Sequence, residues 1–274
     1  MQIERLAFVP PARVALSSKL EVSVDAALLV SSFEVTRGEW RAWALERGGE
    51  SAARMREAGW DSASDTWPAD YVSLEDSREY ARAQGMRLPS ASEWLAIACG
   101  SSAASYPWGP NDAASVANTL ELGLRHPTPV GTFEQGRSPL GIYDLLGNAW
   151  EWVDAPPGKG DATIVRGPWA WAMGGSYLTL RHPLFDPRSD ESGTLHLEID
   201  ERGRSNEIGL RLVANARAWL LAHAADFADI PAAQARLTAV GRRWGPAASA
   251  LLEELARAYP DVRVFAWLSA GAHR

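Results

Sequence analysis

Five residues between positions 182 and 200 have the types that bind transition metals. His182 and Asp186 stand four residues apart, and His196, Glu198 and Asp200 fall on one face of an alternating segment. Two histidines and one carboxylate can hold non-heme iron as a facial triad that leaves positions open for oxygen. The competing reading is structural. Polar residues alternating with Leu195, Leu197 and Ile199 are the wet side of a hairpin, and this plainer reading takes precedence. Ser176 has no histidine–acid pair assignable to it, which a serine nucleophile needs. Cys99 is the one cysteine in the chain. An intrachain disulfide and a cysteine-built zinc site are therefore excluded. No P-loop and no dinucleotide fingerprint occurs.

The elements that position these residues follow from composition and pattern. The chain has 274 residues, 46% hydrophobic and 22% charged, as expected of one large globular domain with a small addition. The net charge of −7 argues against nucleic acid, which requires a basic face. Six of the thirteen tryptophans fall between Trp94 and Trp171, so large aromatic anchors organise the middle of the chain. The N-terminal residues lack the basic, apolar and small-residue regions of a signal peptide. No apolar run approaches the roughly 20 residues needed to span a bilayer. The expected compartment is the cytoplasm.

Residues 1–33 read as short strands broken at Pro10-Pro11. Three capping boxes follow: Thr36 with Glu39, Ser73 with Asp76, and Ser90 with Glu93. They predict helices that stop at Gly48, Gly85 and Gly100. Regular signals then fade up to Gly175, yet Trp108, Phe133, Tyr143, Trp150 and Trp152 argue for an ordered, loop-rich core. Trp150 and Trp152 alternate on a strand, which turns Glu151 to the opposite side. Residues 186–206 read as a projecting acidic hairpin, and Glu207–Val213 as a closing strand. From Ala216 the periodicity is helical. Trp219, Leu220, His223 and Phe227 share one face, Pro231 and Pro246 open later helices, and Val262–Leu268 reads as a short strand.

Four stretches occur in a fixed order: RLPSASEW at 87–94, YPWG at 106–109, LGIYDLLGNAWEW at 140–152, and GGSY at 174–177 with IGLR at 208–211. This succession resembles the formylglycine-generating enzyme, or sulfatase-modifying factor, family over residues 28–214. The resemblance implies an α+β, C-type-lectin-like domain with little regular secondary structure, spanning residues 1–214. Residues 215–274 then form a small helical C-terminal extension.

The resemblance also implies chemistry, and here the chain departs from the family. The family's oxidase reaction uses two cysteines after GGS-aromatic to bind copper(I), for which a soft thiolate is required. The matching positions carry Thr179 and Leu184, so no copper is expected. The family's sulfoxide synthases take iron from a separate histidine-bearing helical domain, and the C-terminal helices here offer His223 alone. The family's calcium site carries over as the carbonyls of Leu146, Gly147 and Ala149 with the Glu151 carboxylate, a fair partial shell for a structural calcium. The alternative is that Glu151 serves as a structural acceptor without metal. The family's ligand face carries over as Tyr177, Thr179, Arg181, His182, Phe185 and Arg188. The resulting expectation leans away from an enzyme: a non-catalytic module that binds a protein or peptide partner through residues 177–206, the C-terminal helices, or both, with no nucleic acid and no membrane. The second reading is a metal-dependent oxidase with a non-cysteine site near His182 and His196.

Overall fold

The computed structural model describes residues 2–18, 20–48, 53, 55–60, 62–154, 169–185, 194–227 and 233–273. The mixed α+β architecture expected from sequence is present. Four short strands open the chain: β1 (Leu6–Val9), β2 (Ala12–Ala15), β3 (Glu21–Val24) and β4 (Leu28–Ser31). Pro10-Pro11 separates β1 from β2 because proline cannot donate to a ladder. Helices α1 (Arg37–Arg47), α2 (Leu74–Ala83) and α3 (Ala91–Cys99) follow, each opened by its predicted reciprocal capping box.

Residues 100–149 contain no strand and no α-helix among those described, only two single 3-10 turns. Strands β5 (Trp150–Trp152), β6 (Trp169–Met173), β7 (His196–Asp200) and β8 (Ile208–Gly209) form one sheet in the order β7-β6-β5-β8. The β5–β8 pair is parallel, with Trp150 opposite Ile208. Strand β9 (Val213–Asn215) returns to the N-terminal sheet, in the order β1-β4-β9. The expected single closing strand is therefore two strands in different sheets. Leu210, Arg211 and Leu212 cross between the sheets, all fully buried, and Val35 N donates to Leu210 O across that passage.

Four helices complete the chain: α4 (Ala216–Ala222), α5 (Ala233–Trp244), α6 (Pro246–Ala258) and α7 (Arg263–Ala272). Pro246 opens α6 as predicted, whereas Pro231 lies outside the described residues. The strand expected at Val262–Leu268 is instead the start of α7. Val264, Phe265, Leu268 and Ala272 bury one helical face there, and packing overrides the strand propensity of its valines and phenylalanine. Helices α5 and α7 cross at two glycines. A Cβ on Gly241 would lie 1.9 Å from Leu268 O, and one on Gly271 would lie 2.0 Å from Thr238 O; both distances are shorter than any real contact.

The C-terminal helices dock on the N-terminal strand. Trp244 Nε1 and Arg243 Nη2 each donate to Leu6 O at 2.7 Å, and Arg236 pairs with Glu4. Trp219, Leu237, Trp244, Leu252 and Phe265 share one hydrophobic core with Leu6, Phe8, Trp40 and Trp152. A second core lies under the loop-rich half and contains Trp94, Trp171, Met173, Leu184 and Phe185. Among the described residues, no helix is long and apolar enough to cross a membrane.

Candidate active site

The GNAWEW stretch is built around a buried ion pair. The Arg211 guanidinium meets the Glu151 carboxylate, with Nε at 3.0 Å from both oxygens and Nη2 at 2.5 Å from Oε1. Trp94 Nε1 donates to Oε2 at 2.7 Å. Arg211 also donates to Ser31 O at 2.8 Å and Tyr143 O at 2.7 Å. The pair therefore ties together α3, β4, β5 and the segment that joins the two sheets. The sequence reading singled out Glu151 but missed its partner, although Arg211 closes the IGLR stretch.

Two further acids are buried near this pair. Glu34 accepts from Asn148 Nδ2 at 2.7 Å and from Ala149 N at 3.0 Å. Asp144 accepts from Gly131 N at 2.6 Å. Burial, then the neighbouring carboxylates Asp144 and Glu151, hold Glu34 well above the ordinary carboxylate range. Burial also pushes Asp144 up to about 6. The backbone here has left-handed dihedrals at Asp144 (φ 56°), Gly147 (φ 82°) and Asn148 (φ 64°). Gly147 has a second reason to be glycine: a Cβ there would sit 2.4 Å from Asn118 O.

Glu151 has both oxygens committed to Arg211 and Trp94. Calcium needs about six to eight oxygen ligands, with carboxylate charge among them. The expected set of Leu146, Gly147, Ala149 and Glu151 thus loses its one charged member to an internal cation. This geometry favours the structural-acceptor reading of Glu151, with a guanidinium and an indole as the donors.

The loop after GGSY lies over the β5–β8 edge. Ser176, fully buried, donates through Oγ to Glu207 Oε2 at 2.5 Å and stands 3.2 Å from Thr179 Oγ1. Thr179 Oγ1 accepts from Ser176 N at 2.9 Å. Tyr177 O–H reaches Asn206 O at 3.5 Å. Burial, then Glu207 and Asp70, raise the Tyr177 phenol above its ordinary value. Arg37 borders this corner. It pairs with Asp70 at 2.7 Å between the rings of Trp60 and Trp67. Glu207, Asp70 and Arg37 carried no motif and were not found from sequence.

The six expected ligand-face residues divide. Tyr177 is buried at 7% exposure, Thr179 is half-buried and His182 is exposed. Arg181 is spent on Asp112, 2.5 Å away, and on a main-chain bond to Glu121, so it fastens the loop. Phe185 is a correction: it is 3% exposed and belongs to the second core, where it can touch no ligand. Arg188 lies outside the described residues, as does Asp186.

The positions that carry thiolates in the resembling family hold a hydrogen-bonded hydroxyl at Thr179 and a fully buried core side chain at Leu184. Cys99 is buried at the end of α3, where burial pushes its thiol up to about 12. All five histidines are described, and among the described residues no group of three or more His, Cys, Asp or Glu is placed to hold a metal ion. His196 stacks on Trp171 with ring centroids 4.0 Å apart, and its Nδ1 faces Thr194 O at 3.0 Å. Among the described residues His182 and His196 do not belong to one metal-ligand group, and Asp186 lies outside those residues.

Residues 14–216 match the family model described as the sulfatase-modifying factor enzyme 1-like domain. The hercynine oxygenase of Mycolicibacterium thermoresistibile is 28% identical over 206 residues, covering 56% of this chain and 46% of that protein. The formylglycine-generating enzyme of Mycobacterium tuberculosis is 35% identical over 99 residues, covering 31% of this chain and 32% of that protein. The solved structure of PvdO from Pseudomonas aeruginosa superposes with a TM-score of 0.56 at 20% identity, covering 76% of this chain and 93% of that one. That likeness shows the fold. The chain spans about half the length of the hercynine oxygenases it matches, 46% of one and 44% of another. These oxygenase relatives overturn the expectation of a non-catalytic partner-binding module, because two of them align over 56% and 57% of this chain and are enzymes by name. The expectation failed because missing thiolates exclude only thiolate chemistry.

Proposed function

This chain belongs to the family of the sulfatase-modifying factor enzyme 1-like domain, and from that membership we propose that it serves oxygenase-type catalysis without metal-bound thiolates. The observation that carries this reading is the 206-residue match to a hercynine oxygenase, in a chain whose one cysteine is buried and far from the thiolate range. The proposed role of the chain is to supply the substrate-facing half of the site. Tyr177 offers a phenol, Thr179 a hydroxyl, and Glu207 a carboxylate that fixes Ser176 and with it the loop. The substrate in this reading is the one the relatives are named for, hercynine.

Iron would supply oxygen activation in such a reaction. Among the described residues no group of three or more His, Cys, Asp or Glu is placed to hold it, and no step is routed through it. A cytoplasmic location is part of the same reading and rests on the single cysteine. The test is direct titration of hercynine into the purified chain, with Tyr177→Phe as the comparison. Saturable binding weakened by the variant supports the reading. Absence of binding, with the fold intact, opposes it.

A further inference from the structure

Beside the end of α3 the chain leaves a recess of about 190 Å³. Val9 of β1, Ala12 of β2, Ile97 and Cys99 of α3, and Leu140 from the loop-rich half contribute to its wall. Val9, Ile97 and Cys99 are buried, whereas Ser101, Ser102 and Pro139 are exposed and mark the mouth. None of the sixteen lining residues is Asp, Glu, Lys, Arg or His, in a chain where 22% of residues are charged.

That lining decides what the recess can hold. A charged group entering it would lose hydration and gain no counter-ion. An apolar recess of this size does not fill with well-bonded water either, because water needs about two to four polar partners. An apolar cavity of roughly 150 Å³ accommodates a benzene ring. The void exists because small side chains, Ala12, Ala96 and Ala104, stand where larger ones would close it.

We propose that this recess is a binding site for a small, uncharged, mainly apolar molecule of about the size of a singly substituted benzene ring. Such a ligand would bury itself between the β1–β2 connection and the end of α3 and hold the two together. It would not touch Tyr177, Thr179 or Glu207.

The test is methyl-detected NMR of the full chain titrated with toluene, with benzoate as the isosteric anion. The expected result is saturable shifts of Val9, Ala12, Ile97 and Leu140 methyls with toluene and none with benzoate. Ala12→Leu, which fills the recess from the strand, should abolish those shifts. Equal response to benzoate, or shifts spread over exposed Leu45, Leu178 and Leu180 without saturation, would overturn the proposal. Should Ala12→Leu fail to fold, the wild-type contrast between toluene and benzoate decides alone.

Discussion

Arg211 Nη2 lies 2.5 Å from Glu151 Oε1, and neither side chain meets solvent, at 0% and 1% exposure. A buried pair of this kind is costly to break, because the survivor is left charged without a partner. Removing one member typically costs about 3–5 kcal/mol. Arg211→Met should therefore destabilise the chain by about that amount in urea unfolding. The double variant Arg211→Met with Glu151→Gln should cost less than the single one. An additive double variant would show that the two residues act separately.

The same pair bears on calcium. Since Glu151 is held by Arg211 and Trp94, calcium and a chelator should give the same melting temperature. A calcium-dependent rise would show that the carbonyls of Leu146, Gly147 and Ala149 hold the ion with a carboxylate freed from Arg211.

Stability should fall as pH rises from about 4 to about 6. Asp144 is raised from 3.8 to about 6 by burial, and Glu34 is raised in the same direction. For an acid whose folded value exceeds its unfolded one, the stabilising contribution is complete below the unfolded value and lost as pH passes the folded one. Asp144→Asn should flatten that slope and raise stability at pH 7.5 by about 1–3 kcal/mol. Asparagine suits the site, since it tolerates left-handed backbone and its carbonyl can still accept from Gly131 N. A thermal melt series across pH, for both proteins, measures this. An unchanged slope in the variant would assign the pH dependence to Glu34.

Trp244→Ala should loosen the C-terminal helices. It removes a core ring and the bond to Leu6 O, and such truncations cost about 3–5 kcal/mol. Hydrogen exchange should speed up in β1 as well as in α5. Faster exchange confined to α5 would show that the two parts are not mutually stabilised.

Cys99→Ala should leave any oxygen-dependent activity intact. Its thiol stays protonated at neutral pH, and a cysteine-containing sulfatase peptide should not gain an aldehyde. Aldehyde formation that Cys99→Ala abolishes would restore thiolate chemistry to this chain.

Much of the scaffold was legible in the sequence because it rests on local rules. The three capping boxes fix α1, α2 and α3 through side chains three residues apart. Alternation at Trp150 and Trp152 marked β5. Elements decided by distant partners were not legible. Residues 262–268 are helical because Gly241 and Gly271 let α5 and α7 approach. Glu207–Val213 splits because Arg211 must reach Glu151. At the candidate site, the resemblance proposes Tyr177 and Thr179. It does not propose Glu207, since only folding brings it 2.5 Å from Ser176. Phe185 was misplaced because a strand bridge to Thr194 turns it inward.

The central claim is that this domain serves an oxygenase rather than a silent binding module. The most direct measurement is oxygen uptake by the full chain, tagged and isolated with its native associates, supplied with iron(II) and hercynine. The account predicts hercynine-dependent uptake that Tyr177→Phe or Glu207→Gln reduces at least tenfold and Cys99→Ala does not. Uptake indifferent to hercynine, or none with chain, associates and iron all present, would contradict it.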